Sequence, residues 1–199
     1  MTLVRYATSP AEAARALFEF VRDDIAYTFR WQEGPADAWP PTAVFRASTT
    51  LARGSGMCIQ KAVLLCALAR AAGFSARISF QSVRDHRLPR ELVALMGDVL
   101  TPHGLTTITI NRRAVRLDPS LDRSLCERKG YRLTEFSANN HALLPALDAA
   151  GNPHFDILEE LGEFEVFPLD LVMARVEARF RDLDVAAVRA YIERTAATM

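Results

Sequence analysis

The stretch RGSGMCIQKAVLLCALARAAG, from Arg53 to Gly73, constrains this chain more than any other. A turn rich in small residues runs directly into a helix whose apolar positions, Ile59, Val63, Leu64, Leu65, Leu68 and Ala69, cover more than one face. A helix that is apolar nearly all round has to be buried between other layers. Its expected span is Cys58 to Ala72, with Gly73 as the stop. Cys58 then stands at the N-terminus of a rigid internal platform, where partial positive charge and free N–H groups lower a thiol's pKa.

The flanking segments supply layers for that helix. Ser9, Pro10 and Glu12 carry the signals of a capped helix start, followed by Ala16, Leu17, Phe20, Val21 and Ile25 as an apolar face ending near Tyr27. From Thr28 to Pro41 the pattern is irregular, with Trp31, Trp39 and three prolines. FSARISFQSV alternates with the period of a strand, and a short helix is expected from about Pro89. HGLTTITI, the polar turn NRR and AVRLD read as a β-hairpin with His103 at its entrance and Asp118 at its exit. Residues 119–162 have a weak pattern and read as a covering loop. DVAAVRAYIERTAA reads as an amphipathic helix within a C-terminal helical extension of about 168–197. The expectation is one domain over 1–199 with a core of about 10–122.

A nucleophilic thiol needs a base and a group that holds the base in one tautomer. His103 and Asp118 fill these roles if the hairpin register allows. With a two-residue turn at Asn111 and Arg112, Leu105 faces Asp118, and His103 then joins Asp118 on one side of the sheet. A three-residue turn would separate them. The backbone N–H of Cys58 is a natural oxyanion donor, and weaker candidates around the substrate are Gln32, Trp31, Trp39, Gly56 and His141. Gly56 is expected to keep the approach to the sulfur clear. Lys61 is expected to be a solvated charge, Cys66 a core residue and Cys126 an incidental thiol in a charged loop. His86 and His154 receive no role.

Composition excludes whole classes of function. With 24 basic and 24 acidic residues, no global field draws the chain to nucleic acid or to anionic lipid. No apolar run approaches a membrane span, and the start MTLVRYATSP lacks the pattern of a leader, so a cytoplasmic protein is expected. Three widely spaced cysteines and four scattered histidines fit neither a disulfide framework nor a metal site. No metal or organic cofactor is required by the chemistry above.

GSGMCIQKAVLLCALARAAGFSARISF, followed by a histidine that opens a hairpin and an aspartate that closes it in RLDPSLD, resembles the transglutaminase-like domain of the papain-like cysteine superfamily. The resemblance covers roughly Ala13 to Asp122, in the order Cys, His, Asp. The rest of the chain is similar to the tail of small bacterial transglutaminase-like proteins. The resemblance implies an α+β fold, with the central helix packed on an antiparallel sheet, and a triad of Cys58 as nucleophile, His103 as base and Asp118 as orienter. It also implies amide-bond cleavage, acyl transfer to an amine or glutamine deamidation. Many members carry an aromatic residue shortly after the histidine, where Gly104 and Leu105 stand here. Arg53 to Cys58 loosely echoes the Arg-Gly-Gly-x-Cys element of arylamine N-acetyltransferases, for which this chain is short.

The reading is therefore cysteine-dependent amide or acyl chemistry on a peptide, a small amide or a thioester. The alternatives are a binding or scaffold protein that keeps the fold without turnover and a biosynthetic acyltransferase using a thioester donor. Oligomeric state is not legible.

Overall fold

The structure is a computed structural model that describes residues 2–28, 41–181 and 184–196. It is an α+β fold in which a central helix bearing Cys58 packs against an antiparallel sheet. A short 3-10 turn, Thr2–Val4, leads to α1, Pro10–Glu19. The Ser9 hydroxyl accepts the Glu12 N–H at 3.2 Å, while the Glu12 carboxylate reaches past Ser9 to the Thr8 N–H at 2.8 Å. A π-helical turn, Phe20–Asp24, continues α1 into β1, Ala26–Tyr27, which pairs in parallel with β2, Ser55–Gly56. Between them lie α2, Pro41–Val44, and α3, Ala47–Arg53. Gly54 ends α3 at φ 67°, a left-handed conformation that suits glycine.

The central helix is α4, Cys58–Ala71. It is buried along its length, through Ile59, Gln60, Lys61, Ala62, Leu64, Leu65, Cys66 and Ala69. One flank packs with Leu17, Phe18 and Val21 of the N-terminal helical segment and with Ile108, Val115 and Leu117 of the sheet. The other meets Ile78, Phe80 and Val172.

The sheet has the order β5-β4-β3-β6, every neighbour antiparallel. Its strands are β3, Ala76–Asp85; β4, Val99–Ile110; β5, Arg113–Leu117; and β6, Phe155–Phe164. Helix α5, Arg90–Met96, connects β3 to β4, and α6, Arg123–Lys129, follows β5. The chain closes with α7, Leu169–Phe180, and α8, Val185–Ala196, as the C-terminal pattern predicts.

Two contacts seat α4 on β4. The Thr106 hydroxyl donates to the carbonyl of Ala62 at 2.8 Å. At Gly104 the strand comes so near that a Cβ would lie 2.8 Å from the Cα of Ile59. The family's aromatic residue after the histidine has no room at this position.

Segment 119–162 differs from its expected form as one covering loop. It contains α6 and most of the edge strand β6. Asp156, Glu159, Glu160 and Glu163 mask the strand in the sequence, and the same carboxylates discourage another chain from pairing with an open edge. Cys126 is buried on α6 rather than lying in a loop. Among the described residues, no helix is long and apolar enough to cross a membrane.

Candidate active site

The register on which the site depends is the two-residue one. Ile110 pairs with Arg113 and Thr106 with Leu117, and the turn residues Asn111 and Arg112 have φ 49° and 67°, both left-handed. Such a turn matches the twist of a hairpin. One step further along the ladder, Asp118 lies opposite Leu105, so His103 and Asp118 share a side. They meet: His103 Nε2–H donates to Asp118 Oδ2 at 2.6 Å, and both side chains are buried.

Asp118 is held from its other oxygen as well. Oδ1 accepts the Ser120 hydroxyl at 2.5 Å and the Ser120 N–H at 3.0 Å. Behind it, the Asp118 N–H donates to the Ala142 carbonyl at 2.8 Å. The carboxylate therefore cannot swing away from the imidazole without breaking several bonds. The signal for Ser120 was present in DPS, since a serine two residues after an aspartate is placed to close such a turn.

Cys58 begins α4, one residue after a turn that Gln60 organises. Gln60 Oε1 accepts the Met57 N–H at 2.8 Å and Nε2 donates to the Val44 carbonyl at 3.3 Å. The second imidazole nitrogen, Nδ1, is sealed from water with no hydrogen bond of good geometry. The thiol lies close enough for the two groups to shift each other's titration. Burial pushes the Cys58 thiol up, but the His103 charge beside it and the Gly104 N–H outweigh burial and hold the thiol below its ordinary value. Burial pushes His103 down, and the Asp118 and Cys58 charges reverse this to leave the imidazole well above its usual range. Asp118, which burial alone would raise, is held low by His103 and Ser120. Each of these shifts acts in favour of the charged form of its group.

The weaker candidates fare differently. Trp31, Gln32 and Trp39 lie outside the described residues. Gly56 is buried on β2, and a Cβ there would meet Gln60 Cβ at 3.0 Å and Thr50 Cγ2 at 3.2 Å, so it makes room for the capping residue. His141 is exposed, with Nδ1 accepting the Arg116 N–H at 3.1 Å along the outer edge of β5. Cys66 is a buried core residue. Lys61 is not solvated: it is fully buried and donates to the Arg22 carbonyl at 3.0 Å.

Tyr27 was not singled out by its sequence context. Burial and the neighbouring Cys58 charge push its phenol well above the ordinary value, so its hydroxyl keeps its proton. His154, also without a role in the sequence, is fully buried between Tyr131 and Phe155 with neither ring nitrogen hydrogen-bonded.

The model of the transglutaminase-like superfamily matches residues 2–119, more than half of the chain, a span that includes Cys58, His103 and Asp118. The chain belongs to the transglutaminase-like superfamily. No curated protein matches it. Among solved structures, this transglutaminase-like chain is similar to a candidate protease from Parabacteroides distasonis, with 14% identity and a TM-score of 0.39, over 60% of this chain and 22% of that one. It is also similar to a candidate cysteine protease from Cytophaga hutchinsonii, with 16% identity and a TM-score of 0.38, over 76% of this chain and 42% of that one. The chain spans less than half the length of either structure.

Proposed function

We propose that this chain is a thiol enzyme acting on an amide or related acyl group, with Cys58 as nucleophile, His103 as proton carrier and Asp118 as orienter. One observation carries the reading: the sealed 2.6 Å hydrogen bond from His103 to Asp118, with the ring's free nitrogen buried beside a thiol whose titration is lowered. A buried His–Asp pair beside a partly exposed thiol is the kind of arrangement that marks a functional site.

The Cys58 thiolate attacks the carbonyl carbon, forming a carbon–sulfur bond and an oxyanion. The Cys58 backbone N–H at the helix N-terminus is the nearest natural donor to that oxyanion. His103 then passes its proton from Nδ1 to the leaving amine, and the carbon–nitrogen bond breaks. Water or an amine attacks the acyl-enzyme, giving its proton back to His103 and restoring the thiolate. Hydrolysis of a peptide or small amide is the first choice of reaction, with transfer to an amine as its variant.

Exposure to an activated acyl ester, p-nitrophenyl acetate, tests the proposal by intact-protein mass spectrometry. One acetyl group on Cys58, lost with time in buffer and faster with added amine, is the expected result; Cys58→Ala shows none. Absence of this adduct in the folded wild-type protein sinks the proposal and leaves the binding-protein alternative.

A further inference from the structure

The motif RLDPSLD carries two aspartates, and the triad uses only Asp118. Asp122, four residues on, is buried and bonds in two directions. Oδ1 accepts the Leu125 N–H at 2.7 Å and so caps α6. Oδ2 accepts the Tyr27 N–H at 2.8 Å, from a strand 95 residues away in sequence. Successive N–H groups of a strand point to opposite edges. In and just after β1, the N–H groups of Ala26 and Thr28 donate to the carbonyls of Gly54 and Gly56, at 2.9 and 3.3 Å. The Tyr27 N–H points to the other edge, where Asp122 takes the place of a neighbouring strand. β1 and β2 have two residues each, too short a ladder to hold itself. A return bond lies alongside: the Arg123 N–H donates to Asp23 at 3.2 Å. β2 then leads through Met57 into Cys58, with Gly56 packed against the capping residue Gln60. The nucleophile thus comes from one part of the chain and its His–Asp partners from the sheet, and Asp122 bonds the two together.

We propose that Asp122 is a positioning residue: by holding β1, and through it the β2 turn before Cys58, against the loop that carries Asp118, it sets the thiol within reach of His103. This role rests on the reading of Cys58, His103 and Asp118 as a triad. Asparagine at position 122 separates the role from helix capping. It caps a helix about as well as aspartate does. Its one carbonyl oxygen then serves Leu125, and its amide group turns N–H donors toward the Tyr27 N–H, which loses its acceptor. The bond from Arg123 to Asp23 still docks the start of α6.

Iodoacetamide alkylation of Cys58 against pH, on wild type and Asp122→Asn, reads the displacement. A slipped β2 turn parts thiol from imidazole, so the midpoint climbs toward the ordinary thiol value of about 8.5, and each unit of climb lowers the rate on the acid limb about tenfold. The lost charge acts the other way, since removing a carboxylate favours the thiolate and lowers the midpoint. A raised midpoint in a protein with native circular dichroism is the expected result and reports position. An unmoved or lowered midpoint overturns the role and leaves Asp122 a helix cap. Where Asp122→Asn does not fold, Asp122→Ser, whose single hydroxyl oxygen caps α6, is held to the same outcomes. Amide hydrogen exchange at Tyr27 in the wild type supplies a test without any variant: protection is expected, and exchange at the rate of an open amide overturns the tie. A wild-type Cys58 without fast alkylation at any pH overturns the triad and this role together, whereas a reactive Cys58 whose midpoint Asp122→Asn does not raise overturns only the role of Asp122.

Discussion

Gly104→Ala asks whether the close approach of strand and helix places the sulfur. The added Cβ lies 2.8 Å from Ile59 Cα, 3.3 Å from Ile59 N and 3.4 Å from Ala62 Cβ. Comfortable carbon–carbon contact is about 3.5–4.0 Å, so the gap between β4 and α4 must open by about 0.7–1.2 Å. The obstructing atoms are helix backbone, which cannot turn aside as a side chain can. Overpacking of this kind costs about 1–3 kcal/mol. Ile59 follows Cys58 directly, so the displacement reaches the sulfur, and a misplacement of about 1 Å costs reacting groups about 100-fold. Urea denaturation and Cys58 alkylation on the same preparation give both quantities. Stability within about 0.5 kcal/mol of wild type, or a stability loss with Cys58 as reactive as before, refutes the claim that this contact positions the nucleophile.

Other perturbations bear on separate parts of the account. Ser120→Ala removes the hydroxyl donor to Asp118 Oδ1, and the alkylation rate of Cys58 at mildly acidic pH is expected to fall about tenfold, a loss in the range of a hydrogen bond to a charged group. Cys66 and Cys126 are expected to resist alkylation until unfolding, since burial raises both thiols and pushes Cys126 to about 11; peptide mass spectrometry of the native protein decides. Lys61 binds its proton more weakly folded, at about 7, than unfolded, so the unfolded chain holds the extra proton above that value. Stability should rise with pH from about 7 to 9, by at most about 1.4 kcal/mol per unit, and Lys61→Met should abolish the rise. His154, lowered to about 4 by burial and Arg87, makes the fold less stable as pH falls from 6.5 through 4; His154→Phe should flatten that limb of a urea midpoint against pH curve.

The sequence shows most clearly those features whose cause is local. The start at Ser9, the apolar circumference of α4 and the hairpin turn at Asn111 and Arg112 depend on neighbouring residues, and the structure agrees with all three. The meeting of His103 and Asp118 was legible for the same reason, because a hairpin register follows from its turn. Features decided by distant partners were not. β6 is mostly exposed and carries glutamates, so nothing in its own pattern shows that it pairs with β3. Lys61 looks like any solvated lysine until the π-helical turn and α6 close over it. The contact of Gly56 with Gln60 becomes visible only when the cap folds.

The central claim is that Cys58 is a thiolate held by His103, itself held by Asp118. The most direct test is the alkylation rate of Cys58 against pH in the native protein and in His103→Ala. The account requires fast reaction at a pH well below the ordinary thiol value of about 8.5, and loss of that advantage when the imidazole is removed. A Cys58 that reacts no faster than an ordinary thiol, or equally fast without His103, contradicts it.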